Sequence, residues 1–245
     1  MHILGIIPAR FGSTRFPGKP LADIGGISMV MRVVNQVRKC RMIREVVVAT
    51  DDERILRHVE ENGAQAVLTS PDHPSGTDRC LEALELTCSD ADGVINIQGD
   101  EPFVDPAQLD LLAAMLLKND TEVATLATPI RDYTTLTDPN KVKVVFGKDG
   151  RAIYFSRFPI PFRKGLPQDQ WLHTGPYYKH LGLYAYRSDI LHRICLLAPS
   201  PLEQAESLEQ LRWLEAGYRI SVAVTPLETP AVDTPEDLEK VRKLL

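Results

Sequence analysis

The sequence predicts an α/β fold with a mainly parallel sheet. Three observations point to it. Short β-branched runs alternate with longer stretches whose apolar residues recur at helical spacing. Gly, Pro and Asp mark the junctions between them. The alternation is interrupted in the middle third of the chain and then resumes. The 245 residues suffice for one full-sized domain.

The elements follow in order. Ile3 to Ile7 reads as a buried strand, and Ser28 to Cys40, with Val30, Val33, Val34 and Val37 on one face, as a helix. Glu45 to Thr50 is the next strand, and Asp52 to Asn62 a helix stopped by Gly63. Gln65 to Thr69 is a strand, Asp78 to Cys88 a helix, and Gly93 to Ile97 a strand. Pro106 to Lys118 is a helix with proline in its first turn, and Val123 to Thr128 a strand. Val142 to Phe146 and Ala152 to Ser156 form a hairpin through Lys148-Asp149-Gly150. Pro159 to Pro176 is irregular and reads as a mobile loop. Lys179 to Arg187 is a strand, Glu203 to Ala216 one long helix, Arg219 to Val224 a strand and Pro235 to Leu244 a closing helix. Residues 140–217 are expected to form a lobe inserted in a single domain that spans 1–245. Right-handed βαβ crossovers put the segments after Ile7, Thr50, Thr69 and Ile97 on one rim, beyond the carboxyl ends of the strands, where such sheets bind ligands.

Composition narrows the function. A net charge of −5 argues against nucleic acid as the main partner, because duplex-binding domains are usually basic. It leaves room for a small anion held by local positive charge. Cys40, Cys80, Cys88 and Cys195 make no Cys-x-x-Cys pair and read as reduced thiols of a cytoplasmic protein. Met1 to Pro8 is too short for a signal peptide, and no apolar run approaches about 18 residues, so no membrane span is expected.

The segments on the predicted rim are the chemically unusual ones. Ile6 to Leu21 holds Arg10, Arg15 and Lys19, with Gly12, Ser13 and Gly18 between them. A small-residue loop after a strand exposes backbone N–H groups to phosphate oxygens; arginine adds planar forks and lysine a point charge. Pro8, Pro17 and Pro20 stiffen it. It is neither a Walker A loop nor a dinucleotide fingerprint. In HPSGTDR, Ser75, Gly76 and Arg79 read equally well as a ligand site and as the start of a helix capped at Thr77 or Asp78. Gln98-Gly99-Asp100-Glu101 ends a buried strand, and Asp100 beside a phosphate loop suits Mg²⁺. Asp233-Thr234-Pro235-Glu236 is by itself a helix start, and matters chemically only if Asp233 joins Asp100. His180, Gly182, Tyr184 and Tyr186 alternate on one face of a strand; with Arg157, Glu209 and Gln210 they are groups suited to a polyol, each unremarkable alone.

Taken together these blocks resemble a known family. IPAR–S–R–PGKPL, VATDD at 48–52, SGTDR, NIQGDEP, VKVV at 142–145, YFSR at 154–157, HLG-Y-YR, SPLE–ESLEQLR and VDTPEDLE occur in order over nearly the whole chain. The sequence is similar to 3-deoxy-D-manno-octulosonate cytidylyltransferases, also called CMP-KDO synthetases. CMP-sialate synthetases share the start but not SGTDR, YFSR and SPLE–LEQLR together. The resemblance implies a Rossmann-like nucleotide-sugar transferase fold with an inserted dimerisation and sugar-binding lobe. It implies transfer of CMP from CTP to KDO with release of pyrophosphate, activating KDO for lipopolysaccharide biosynthesis, in a homodimer dependent on Mg²⁺. Carried over by motif, Pro8, Ala9, Arg10, Ser13, Arg15 and Lys19 fall on the triphosphate loop, and Ser75, Gly76, Arg79 and Gln98 on the nucleotide pocket. Asp100 and Asp233 fall on the magnesium carboxylates and, with Arg15 and Lys19, on the catalytic set. Gln98, Arg157, His180, Tyr184, Glu209 and Gln210 fall on the sugar-acid pocket. The stretch from Arg163 to Tyr178 matches no block.

Overall fold

A computed structural model describes residues 1–12, 16–87 and 90–244. The chain opens with β1 (Ile3–Ala9), a two-residue-per-strand hairpin of β2 (Asp23–Ile24) and β3 (Ile27–Ser28), and α1 (Met29–Val37). Then come β4 (Glu45–Thr50), α2 (Glu53–Glu61), β5 (Gln65–Leu68), α3 (Gly76–Leu86), β6 (Gly93–Asn96), α4 (Pro106–Leu116) and β7 (Val123–Pro129). The middle third holds α5 (Tyr133–Thr137), β8 (Lys143–Phe146), β9 (Ala152–Ser156) and β10 (Tyr178–Arg187). The chain closes with α6 (Ser188–Cys195), α7 (Pro201–Glu206), α8 (Gln210–Glu215), β11 (Ile220–Val224) and α9 (Pro235–Arg242).

The main sheet runs β11-β7-β10-β6-β1-β4-β5, and β8 and β9 extend it from the flank of β10. The pairs β1/β4, β1/β6, β4/β5 and β11/β7 are parallel; β10 runs antiparallel between β6 and β7. The expected mainly parallel sheet is therefore present, with one reversed strand near its middle. Residues 140–217 supply that reversed strand, so the segment is woven into the sheet through β10 while the β8–β9 hairpin stands at its side.

Local chemistry explains where the elements begin and end. Asp52, Ser75 and Asp105 each accept hydrogen bonds from the first free N–H groups of α2, α3 and α4. Ser200 with Glu203, and Thr234 with Asp237, make reciprocal capping boxes on α7 and α9. Helices cover both faces of the sheet. One core gathers α1, α2 and α4 against Ile7, Val48, Ile95 and Leu126; the other gathers α3, α6 and α8 against Ile6, Val47, Val94 and Tyr186.

Three expectations change. The single helix expected over 203–216 is two, α7 and α8, broken at Ser207, whose φ is +51°. Such a backbone costs a non-glycine residue roughly 1–2 kcal/mol, so the surroundings must impose it. They do: the Arg157 guanidinium donates to the carbonyls of Glu206 and Ser207 that the break leaves free, and Arg212 pairs with Glu203 across it. Helix α6 is unexpected, although Ile190, Leu191 and Ile194 lie at helical spacing and are buried. The 159–176 stretch is irregular but anchored: Trp171, buried in a short 3-10 turn (Gln168–His173), stacks on Tyr177 at 6.3 Å.

Candidate active site

The carboxyl ends of β1 and β6 and the first turn of α3 converge on one cleft of about 290 Å³. Pro8, Ala9 and Arg10 come from the end of β1, and Lys19 from the 3-10 turn that follows the loop. Ser75, Gly76 and Arg79 come from the start of α3, Gln98 and Asp100 from the turn after β6, and Asp233 from the residue before the cap of α9. The expectation of one rim thus holds for every described residue assigned to the phosphate loop, the nucleotide pocket and the carboxylate pair. Ser13 and Arg15 lie outside the described residues. His73, Pro74, Pro20 and Gly99 also line the cleft, although the sequence reading gave none of them a part in binding.

Two glycines make the close approaches possible. A Cβ on Gly99 would stand 2.7 Å from the Pro8 carbonyl oxygen, nearer than real contacts allow. Gly18 has φ +69°, and a Cβ there would meet the Phe11 ring at 3.2 Å while its N–H donates to the Phe11 carbonyl. The loop is closed on itself by these contacts and by Arg54, which lies 3.5 Å over the Phe11 ring.

The charges are arranged in two groups. Lys19 Nζ donates to Asp100 Oδ2 at 2.7 Å and to the Val232 carbonyl at 2.9 Å, and lies 3.7 Å from Asp233 Oδ1. Two carboxylates distant in sequence therefore share one positive charge. Val232 N–H donates to the Asp100 carbonyl and fixes the two turns together. Across the cleft, buried Arg79 donates to Thr69 Oγ1 at 2.6 Å and Asp51 Oδ2 at 3.1 Å, and Asp51 Oδ1 accepts from Phe11 N–H. Asp51 so ties the loop after β1 to the start of α3. Its only signal in the sequence was the VATDD block. His73 pairs with Glu82, which also accepts from Ser70 N–H, and this fixes the loop before Ser75.

The two carboxylates fit a divalent cation. Mg²⁺ is held by one or two carboxylates, with substrate phosphates and water completing the shell. Among the described residues no group of three or more His, Cys, Asp or Glu side chains could hold a metal. Next door, burial first and the Asp100 charge second push the Glu101 carboxyl up to about 7.

Of the residues assigned to the sugar acid, Gln98 lines the cleft, and Arg157, His180, Tyr184, Glu209 and Gln210 do not. Gln98 Nε2 donates to the Gly182 carbonyl and joins the cleft to β10. His180 and Tyr184 lie on one face of β10 with ring centroids 5.2 Å apart. His180 Nε2 lies 2.9 Å from Thr125 Oγ1. Burial of its ring, and then the neighbouring Lys179 charge, push His180 down to about 3. The buried Tyr184 hydroxyl has no hydrogen-bond partner among the described residues. Glu209 accepts from Ser75 and Thr77, and Gln210 follows it, buried, in α8. Arg157 is brought elsewhere: besides Glu206 and Ser207 it donates to the Pro139 carbonyl, and it does not line the cleft.

Comparison with known proteins identifies relatives over the whole chain. A family model described as Cytidylyltransferase matches residues 4–220. The chain is 53% identical over 242 residues to a 3-deoxy-manno-octulosonate cytidylyltransferase of Cytophaga hutchinsonii, covering 98% of this chain and 96% of that one. It is 49% identical over 248 residues to the enzyme so named in Bacteroides thetaiotaomicron, covering 100% and 98%. Among solved structures it superposes on a CMP:2-keto-3-deoxy-manno-octonic acid synthetase complexed with CTP, with TM-score 0.92, 42% identity and coverage of 100% and 98%. A putative glucose-1-phosphate thymidylyltransferase from Bacillus anthracis, 17% identical with TM-score 0.67, shares the fold.

Proposed function

The chain belongs to the cytidylyltransferase family, and from that premise we propose that it transfers CMP from CTP to the anomeric hydroxyl of 3-deoxy-D-manno-octulosonate (KDO), activating the sugar for lipopolysaccharide biosynthesis. It is a nucleotidyltransferase. One observation carries the assignment of roles: Lys19, Asp100 and Asp233 meet on the rim that also holds Ser75 and Arg79.

In the reaction the anomeric oxygen bonds to the α-phosphorus, the bond from that phosphorus to the bridging oxygen breaks, and pyrophosphate leaves with the electron pair. The proton of the anomeric hydroxyl passes to solvent. Backbone N–H groups of the loop that follows Pro8 would cradle the triphosphate, and Arg10, Arg15 and Lys19 would meet the charge that grows on the leaving pyrophosphate. Arg79, held by Thr69 and Asp51, together with Ser75 and Gly76 holds the nucleoside. Asp100 and Asp233 would hold Mg²⁺, which supplies Lewis-acid activation of the attacking hydroxyl and the α-phosphate. Lys19 then turns its ammonium from the carboxylates to phosphate. Gln98, His180, Tyr184, Glu209 and Gln210 receive the sugar acid; Arg157, held by the Pro139, Glu206 and Ser207 carbonyls, supports the turn into α8 instead. Burial keeps His180 neutral near pH 7, so it serves there as a hydrogen-bonding group and not as a charge.

Two features of the setting belong to the same proposal. Ile153, Phe158 and Phe162 are 66%, 64% and 70% exposed along one stretch of chain, and a homodimer would cover them. The free thiols of Cys40, Cys80 and Cys195 suit the reducing cytoplasm. No helix among the described residues is long and apolar enough to cross a membrane.

The experiment is a pyrophosphate-release assay with CTP, Mg²⁺ and a panel of acid sugars. KDO is expected to be the preferred acceptor. Turnover of a sialic acid or an amino-KDO in its place would keep the nucleotide half of the assignment and overturn the sugar half.

A further inference from the structure

Glu209 sits at the start of α8, yet its side chain is held by α3. Ser75 Oγ lies 2.9 Å from Glu209 Oε1, and Thr77 Oγ1 donates to Glu209 Oε2 at 2.8 Å. These two bonds are not equivalent. Ser75 has one hydroxyl proton and two carboxylates to give it to, since Asp78 Oδ2 lies nearer, at 2.6 Å. It also accepts from the N–H groups of Thr77 and Asp78 as the helix cap. Among the described carboxylates Thr77 donates to Glu209 alone, and at 3% exposure it is shielded from water. The buried Tyr184 hydroxyl makes no hydrogen bond to a described residue, and the buried Tyr186 hydroxyl lies against Thr77. Burial raises the Glu209 carboxyl, and the two hydroxyl bonds oppose that rise.

We propose that Thr77 is a positioning residue for the sugar acid: it holds Oε2 of Glu209 from the first turn of the nucleotide-binding helix and leaves Oε1 to accept a sugar hydroxyl. When the Ser75 proton turns to Asp78 or to the nucleotide, Oε1 is released while Oε2 stays fixed. Nothing in the composition or the family blocks assigns Thr77 such a role; its sequence reading was a helix start. The inference rests on the reading that Glu209 meets the sugar acid.

The test is steady-state kinetics with CTP, Mg²⁺ and KDO on the wild type, Thr77→Val and Thr77→Ser. A neutral hydroxyl bonded to a carboxylate is worth roughly tenfold in affinity when the acceptor depends on it. Thr77→Val, which keeps the shape and loses the donor, is expected to raise KM for KDO about tenfold. Its kcat and KM for CTP should change by less than about threefold, the effect expected of a bond remote from the phosphates. Thr77→Ser should restore the wild-type KM for KDO. If Thr77→Val melts too low to assay, Thr77→Ala removes the same donor. An unchanged KM for KDO in the valine or alanine variant overturns the inference, as does a rise in KM for CTP of equal size, which would make Thr77 a support of α3 alone. A wild type that is active with CTP but not with KDO overturns the sugar assignment of Glu209, and this inference with it.

Discussion

Asp100 reaches Lys19 from the end of β6, and Asp233 reaches it from the far end of the chain. Replacing Asp100 with Asn removes a charge from this pair but keeps its shape. Turnover is expected to fall by roughly 100- to 1000-fold, the usual cost of losing one group that stabilises transition-state charge. The melting temperature should stay within a few degrees of wild type, which thermal unfolding checks beside the assay. His180 gives a prediction in pH. Its folded value, about 3, lies below the 6.5 of an ordinary imidazole. The unfolded chain therefore takes up the proton first as pH falls. The stability tied to a neutral His180 is complete above about pH 6.5 and is lost as pH falls towards 3. Thermal melts from pH 7 to 4 should fall less steeply for His180→Gln than for the wild type. Lys19 and Asp100 were legible because charge is unusual beside a buried strand or in a glycine- and proline-bracketed loop, whereas Asp233 alone read as a helix start and drew interest only as a partner for Asp100. The tie from Asp51 to Arg79 was not, because it depends on two strand ends meeting in space. The bonds of Arg157 were hidden for the same reason.

At the scale of elements, periodicity and capping residues decided most of the fold. β4, β8, β9 and the starts of α4 and α9 fall where apolar spacing, proline and Asp or Thr put them. The break between α7 and α8 escaped because its cause is tertiary. Apolar spacing runs on through Leu208, Leu211 and Trp213, and no Gly or Pro marks Ser207. The break turns the start of α8 towards α3, where Glu209 meets Ser75 and Thr77. Ser207→Gly should hold or raise the melting temperature, since glycine tolerates positive φ. Ser207→Val should lower stability by about 1–2 kcal/mol, measured by urea unfolding. A valine variant as stable as wild type would mean that the left-handed turn is not imposed. Gly99→Ala tests the other tight joint. Its new Cβ has to push the Asp100 turn from the Pro8 carbonyl, so activity should fall further than stability.

For the whole molecule, a net charge of −5 coexists with a cleft that gathers Arg10, Lys19 and Arg79. Overall charge governs non-specific partners, and local charge governs the ligand. The parallel strands bring segments far apart in sequence to one rim, and this part of the site could be anticipated from the order of elements alone. The reversed β10 could not, since an alternating strand carries no mark of its direction; it is this strand that presents His180 and Tyr184 beside Gln98. Sedimentation velocity should find a dimer, and Phe158→Asp with Phe162→Asp should shift it to monomer. The central claim is the transfer of CMP to a sugar acid. Phosphorus NMR of the protein with CTP, Mg²⁺ and KDO tests it most directly. The account predicts one new phosphodiester signal for each pyrophosphate released. Pyrophosphate without the phosphodiester, or CTP left unconsumed, would contradict it.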